Sequence, residues 1–207
     1  TISGSTIIFA AALTTDDSID FITVLGDVLD LGVPSDGAVG NTQLADTLKV
    51  GKQSIWVPAT SMVPTASNGC ASVATVETTS GRPDMNVLDF DKDSDEHAQF
   101  SVAFPKSYNL GTVTFQFYWS GLAATTGVSM QLQGVAMNDN QTIDVAYGTA
   151  VVVDDDAQGA VEELLVSAES GAVTIAGSPG DDELCYFRIF RDVSDSNDDM
   201  AGDCRLH

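Results

Sequence analysis

The sequence predicts an all-β protein: an antiparallel β-sandwich, jelly-roll-like, preceded by a short β-hairpin unit and an extended linker. Three observations carry that prediction. Apolar and polar residues alternate through most of the chain, as they do on a half-buried strand. Gly, Asn, Asp and Pro clusters separate these runs at short intervals. Few stretches of ten or more residues show a convincing helical repeat. A length of 207 residues suits one sandwich with a small appendage.

In chain order, Thr6 to Phe9 and Ser18 to Val24 flank the turn-like Thr14-Thr15-Asp16-Asp17, which predicts a hairpin within an N-terminal β-unit, residues 1–31. Two strands alone are marginal in water, so this unit is expected to complete its core with further strands or with other copies of the chain. Residues 32–50 are small, polar and punctuated by Gly and Pro, the composition of a linker, with Asn41 to Leu48 as a weak helical candidate. Residues 51–207 supply the sandwich. In Val113 to Trp119 the odd positions (Val, Phe, Phe, Trp) form the core face and Thr114, Gln116 and Tyr118 the wet one. Phe100 to Phe104, Val128 to Met137, Ile143 to Tyr147 and Leu164 to Val166 read the same way. So does Leu184 to Phe190, where Cys185 shares a face with Phe187 and Ile189. Asn68-Gly69, Ser80-Gly81, Asn138-Asp139-Asn140, Ser170-Gly171 and Pro179-Gly180-Asp181 stand between as turns.

Eight Lys and Arg against 30 Asp and Glu give a formal net charge of -22. Nucleic-acid binding rests on basic residues that release counterions, and an anionic bilayer repels such a chain, so neither is an expected partner. No apolar run reaches the roughly 20 residues of a membrane span, and the charged and apolar regions of a secretory leader are missing. The first residue is Thr, so the sequence reads as part of a longer product. Hydrophobic content of 43% argues against disorder. The acids divide into 24 Asp and 6 Glu, which places the charge mainly in turns and suits a protein held soluble in salt water. Cys70, Cys185 and Cys204 have no paired spacing and no His-rich neighbourhood, so free buried thiols are expected in place of zinc or a disulfide framework.

Several of these stretches resemble proteins of tailed bacteriophages. Ser3-Gly4-Ser5-Thr6-Ile7-Ile8-Phe9 followed by Ala11 to Ile19 is similar to the end of the small β-unit of phage fibre and appendage proteins, and Pro34 to Val39 with Asn41 to Ala45 to the thread that follows it. Lys52 to Ala59, Gly81-Arg82-Pro83-Asp84, Glu96 to Phe100 and Phe104 to Asn109 resemble the distal domain of structural proteins common in marine phages. The resemblance implies a virion-surface structural protein: a tail-fibre or appendage subunit forming a homotrimer, bound to other virion proteins and meeting a host-surface glycan or protein. A capsid-attached head fibre or decoration protein is the alternative placement, and a glycan-binding module the alternative role.

Nothing in the residues points to catalysis. There is no Gly-x-Ser-x-Gly elbow, phosphate loop or His-Glu-x-x-His. His97 opens a strand and reads as structural, and His207 is expected to fray. Adjacent Asp residues are too abundant to single out a hydrolytic pair. Asp89 to Glu96 is the sharpest polar feature, in which Asp91, Asp93 and Asp95 project to one side of an extended chain as weak Ca²⁺ candidates. The EF-hand pattern fails there, because its sixth position is Glu96 instead of Gly and its twelfth is Val102 instead of Glu. No other cofactor is expected. Asp154-Asp155-Asp156 and Asp195 to Asp199 read as loop tips. The acidic clusters Asp89–Glu96 and Asp154–Asp156 are expected on the outer surface, away from subunit contacts. Trp56, Tyr108, Tyr118 and Trp119 are candidates for a sugar platform, and Tyr118, on the wet face of its strand, is the ligand-binding candidate.

Overall fold

A computed structural model describes residues 2–3, 6–7, 12–16, 18, 52–180 and 182–207. The chain divides into two compact units, Thr1–Ser54 and Ile55–His207. In the first, β1 (Ile2–Ser3) pairs antiparallel with β2 (Thr6–Ile7), Ile2 opposite Ile7. Thr15 and Asp16 form the expected turn. Beyond Ser18, the strand expected to follow it lies outside the described residues, as do the linker 32–50 and the helical candidate Asn41 to Leu48.

The second unit is all-β. After a short 3-10 turn (Ala59–Ser61) come β3 (Val63–Pro64), β4 (Ala74–Glu77), β5 (Asp84–Phe90), β6 (Glu96–Ala103), β7 (Tyr118–Gly121) and β8 (Gly127–Met137). β9 (Val151–Asp156), β10 (Leu165–Val166), β11 (Ile175–Ala176), β12 (Leu184–Arg191) and β13 (Cys204–Leu206) complete it. Two sheets form: five strands in the order β10-β7-β13-β5-β4, and six in the order β11-β8-β12-β6-β3 with β9 also on β8. Between them lies one core that includes Leu88, Phe90, Trp119 and Leu206 from the first sheet and Val128, Met130, Phe187 and Ile189 from the second.

Alternation is clear on β12 but not on β8, where Val128 to Met137 is buried on both faces in place of the one wet face expected. β12 buries Cys185, Phe187 and Ile189 on one side, as read from the sequence, while Tyr186, Arg188 and Phe190 stay half-exposed on the other. All three cysteines are free and buried. Burial pushes the thiols of Cys70 and Cys204 up to about 12 and that of Cys185 to about 11, so none is a ready nucleophile. Gly177 turns with φ +82°, and a Cβ there would stand 2.6 Å from Ala136 O, so only glycine fits the approach to β8.

Four further expectations are corrected. Ile143 to Tyr147 is not a strand, and Ile143 is 80% exposed instead of core. The edge of β8 is already occupied by β9 along Gly127–Leu132 and by β11 at Gly134–Val135, and the chain just past this segment meets β8 without a ladder, Gly148 N donating to Gly134 O at 3.0 Å. Asp154 to Asp156 is no loop tip but the end of β9, paired with Gly127 to Ser129. Asp154 and Asp156 are exposed, whereas Asp155 accepts the Trp119 indole N–H at 2.7 Å. His207 does not fray: its N–H donates to Tyr118 O at 2.9 Å and its Nε2 lies 3.0 Å from Ser120 Oγ.

The fourth correction concerns Asp195 to Asp199. Asp198 is buried, its side chain 2% exposed, against an Arg191 side chain that is 0% exposed. Arg191 Nε and Nη2 donate to the two Asp198 oxygens at 2.9 and 2.8 Å, and the other donors reach Gly202 O, Met200 O, Phe90 O and Asp91 O. Asp198 also accepts from Ser129 N at 3.1 Å, and Asp199 from Gly127 N at 2.8 Å. Burial alone would lower the Arg191 pKa, but hydrogen bonding and charge from Asp198 outweigh it and leave it raised, so the cation persists. The acidic loop is thereby stapled across the ends of β5, β8 and β12. Its signal was present in the sequence: Arg191 has the parity of Cys185, Phe187 and Ile189, so it had to face inward and find a carboxylate.

Candidate aromatic and polar site on the five-stranded sheet

Strand parity sorts the outer face of the five-stranded sheet. β7 turns Trp119 inward, and it is fully buried rather than available as a sugar platform. Tyr118 and Ser120 therefore face out. Across the ladder Arg205 stands opposite both Ser120 and Asp89, and β4 opposes Val76 to Met85. Val166, Leu164 and Glu162 approach from the β10 side. Glu162 takes φ +62°, and its N–H donates to Gly121 O at 3.0 Å, which sets its carboxylate over the sheet.

These residues enclose a shallow cleft of about 60 Å³. Val76, Met85, Val87 and Leu164 give it an apolar floor, and Thr78, Ser120, Glu162, Arg205 and His207 a polar rim. Arg205 is held by two carboxylates: Nη1 donates to Glu162 Oε1 at 2.5 Å, and Nε lies 3.3 Å from Asp89 Oδ1. Burial raises the Asp89 pKa, against the lowering pull of Arg205. Burial, helped by the Arg205 charge, lowers that of His207, which favours the neutral imidazole.

Tyr118 is 36% exposed and Trp56 is 59% exposed; their rings meet edge to face with centroids 4.9 Å apart. Two of the four aromatic residues singled out from the sequence are thus joined at the surface. The other two are not. Trp119 is core, and Tyr108 stacks on Phe104 at 4.2 Å with its hydroxyl donating to Gly111 O. Tyr118 lies two residues along the same outer face from Ser120 and beside His207, so the aromatic pair flanks the cleft.

The geometry limits the chemistry. Sites that enclose a small molecule measure roughly 300 Å³ or more, so a ligand here must lie across the face instead of entering it. Ser120 and His207 have the spacing of a nucleophile and base. Among the described residues, however, no hydrogen-bonded third group orients that imidazole; Asp89 acts on it only as a charge at a distance.

The Ca²⁺ candidates Asp91, Asp93 and Asp95 each engage a different partner within the protein. Lys92 to Ser94 is a bend, not an extended strand, so strand parity does not gather the acids on one side. Asp91 accepts from Asp93 N at 2.6 Å, Asp93 pairs with Lys92 Nζ at 2.6 Å, and Asp95 accepts from Val193 N at 3.0 Å. Among the described residues no three His, Cys, Asp or Glu side chains converge as a metal-binding group. His97 Nδ1 lies 3.1 Å from Asn68 O, which can only accept, so the hydrogen-bond pattern assigns the proton to Nδ1.

No family model matches the chain, and no curated protein matches it. Among solved structures it is similar to the cycloisomaltooligosaccharide glucanotransferase of Paenibacillus sp. in complex with cycloisomaltoheptaose. The identity is 13% and the TM-score 0.37, with 70% of this chain and 17% of that protein covered. A likeness at that level carries no argument about function.

Proposed function

We propose that the chain is a structural subunit of a virion appendage whose sandwich rests a host-surface saccharide on the Trp56–Tyr118 pair. The observation that carries the binding half is that pair: two large rings, held edge to face, left in water beside a cleft with a polar rim. Indole and phenol rings stack on the C–H face of a pyranose, and Ser120, Thr78 and Glu162 are suitable partners for its hydroxyls. The structural half rests on the sequence resemblance to phage fibre proteins. The reading is non-catalytic, and the assembly it calls for is a homotrimer. A shallow site binds each sugar weakly, and three sites on one fibre raise the effective affinity by avidity.

Sedimentation of the full chain tests the assembly, with a trimer expected at micromolar concentration and a monomer counting against it. A glycan array probed with the full chain and with Trp56→Ala and Tyr118→Ala tests the site. Binding to a defined set of sugars, lost in both variants, is expected. An array signal that both variants retain would place recognition elsewhere.

A further inference from the structure

The other sheet carries a second surface of different chemistry. By register, the residues of outward parity on its three central strands are His97, Gln99 and Ser101 on β6, Tyr186, Arg188 and Phe190 on β12, and Gln131, Gln133 and Val135 on β8, of which Gln133 and Val135 are covered and the β6 and β12 residues reach solvent. Not one is a carboxylate, in a chain with 30 acids. Asp192 lies at the margin of this face, where it accepts from Gln131 Nε2 at 2.6 Å.

Arg188 sits at the centre, half-buried. Its guanidinium lies 5.1 Å from the Tyr147 ring centroid and 5.8 Å from that of Phe190. The surrounding donors and acceptors assign the Gln133 amide: Oε1 accepts from Arg188 Nε at 2.6 Å and from Nη2, while Nε2 donates to Gly148 O at 3.1 Å. Gln133 thus satisfies two of the five N–H donors of Arg188. Arg191 and Arg205 both take carboxylates, yet Arg188 forms no ion pair with any described residue. Gln133 occupies Nε and one Nη2 N–H, which leaves Nη1 and the other Nη2 N–H of this half-buried cation as the pair of donors that could meet an external anion. A rigid, planar fork fits a carboxylate through two parallel hydrogen bonds. The surrounding -22 favours a ligand that brings one negative charge on a neutral body over a compact dianion.

We propose that this face binds a carboxylate-bearing sugar of the uronic acid class, its carboxylate on Arg188 and its ring beside Tyr186 and Gln99. The site uses neither Trp56 nor Tyr118 and stands or falls apart from them.

The test is ligand-observed NMR on the full chain with sodium glucuronate, glucose and inorganic phosphate. Saturable glucuronate binding is expected, with glucose weaker by roughly tenfold or more because it lacks the charge-assisted pair. Arg188→Gln is expected to bring glucuronate down to the level of glucose. Gln99→Glu, which keeps the guanidinium and its packing but sets an internal carboxylate across the ladder from it, is expected to do the same with the melting curve preserved. The comparison is repeated in a Trp56→Ala background, so that sugar held by the aromatic pair of the other sheet is not read as binding at Arg188, and the preference for glucuronate over glucose is expected to persist there. Equal binding of glucose and glucuronate, or glucuronate selectivity surviving in both Arg188→Gln and Gln99→Glu, would overturn the proposal. Phosphate binding as tightly as glucuronate would overturn the assignment to a carboxylate.

Discussion

Removing the carboxylate of Asp198 is the sharpest perturbation that the structure offers. Asp198→Ala leaves Arg191, fully shielded from water, with four backbone carbonyls but no counter-charge. Breaking a buried pair from one side costs about 3–5 kcal/mol, because the remaining ion stays desolvated. The same change strips the acceptor from Ser129 N, so the upper half of that range is expected. For a domain of this size each kcal/mol moves Tm by about 2–4 °C, which makes the expected fall roughly 8–20 °C. Urea unfolding is the assay, with the denaturant slope checked for constancy so that the change in midpoint reports stability. Asp198→Asn retains one acceptor and is expected to fall between. Asp93→Ala, which breaks the exposed contact with Lys92, is the control and is expected to cost nothing measurable. A loss below about 1 kcal/mol in Asp198→Ala would refute the account of Arg191 as a desolvated cation that depends on this carboxylate.

Three further outcomes follow from the structure. The three thiols should resist a disulfide reagent at pH 8 in the folded protein and all react after denaturation, since each is buried with its pKa pushed up to about 11 or 12; fast reaction of any one while folded would contradict its placement. His207 has a folded-state pKa below its ordinary 6.5, so the unfolded chain takes up its proton first and stability is lost as pH falls through 6.5 toward the folded value. Asp89 and Glu96, held above their ordinary values mainly by burial, act in the opposite sense as pH falls. The Tm difference between the native protein and His207→Gln isolates the histidine, and it should shift against the native protein on going from pH 7 to pH 5. Finally, Gly81 and Gly177 share φ +82°, but an added Cβ meets nothing at Gly81 and Ala136 O at 2.6 Å at Gly177. Gly81→Ala should cost about 1 kcal/mol of backbone strain, and Gly177→Ala measurably more by thermal melting; equal costs would show that β8 yields at that point.

The sidedness of β12 was legible because burial on its ladder has a strict period of two, and Leu184 to Phe190 obeys it residue by residue. Val113 to Trp119 shows where that signal ends. Its inward and outward faces are as read, yet the ladder covers only Tyr118 onward. Upstream, Ser170 Oγ and Ser167 Oγ accept the N–H groups of Phe115 and Phe117, so hydroxyls stand where strand carbonyls were expected. Ile143 to Tyr147 failed because pairing depends on which edges are vacant, which only the assembled sheet determines. Tyr118 was legible as a surface ring, but its partner Trp56 was not, since no periodicity links a residue in an irregular stretch to a strand. The acidic segments were the least legible. Asp is mostly solvated, so a buried one carries no mark of its own in the sequence, and only the inward parity of Arg191 distinguished a stapled carboxylate from a solvated one.

The placement of β13 has a consequence for the order of assembly. It lies between β5 and β7, and these two have no ladder with each other. Until residues 204–206 arrive, the five-stranded sheet exists only as two fragments, β4-β5 and β7-β10, with the core edges of Leu88 and Trp119 unjoined. The first sheet therefore closes by insertion of a three-residue wedge made some 80 residues after its neighbour at Tyr118–Gly121. Such a domain cannot mature piecemeal during synthesis. Without the wedge, β5 and β7 would each keep an unpaired edge, the kind of surface on which incompletely folded chains associate.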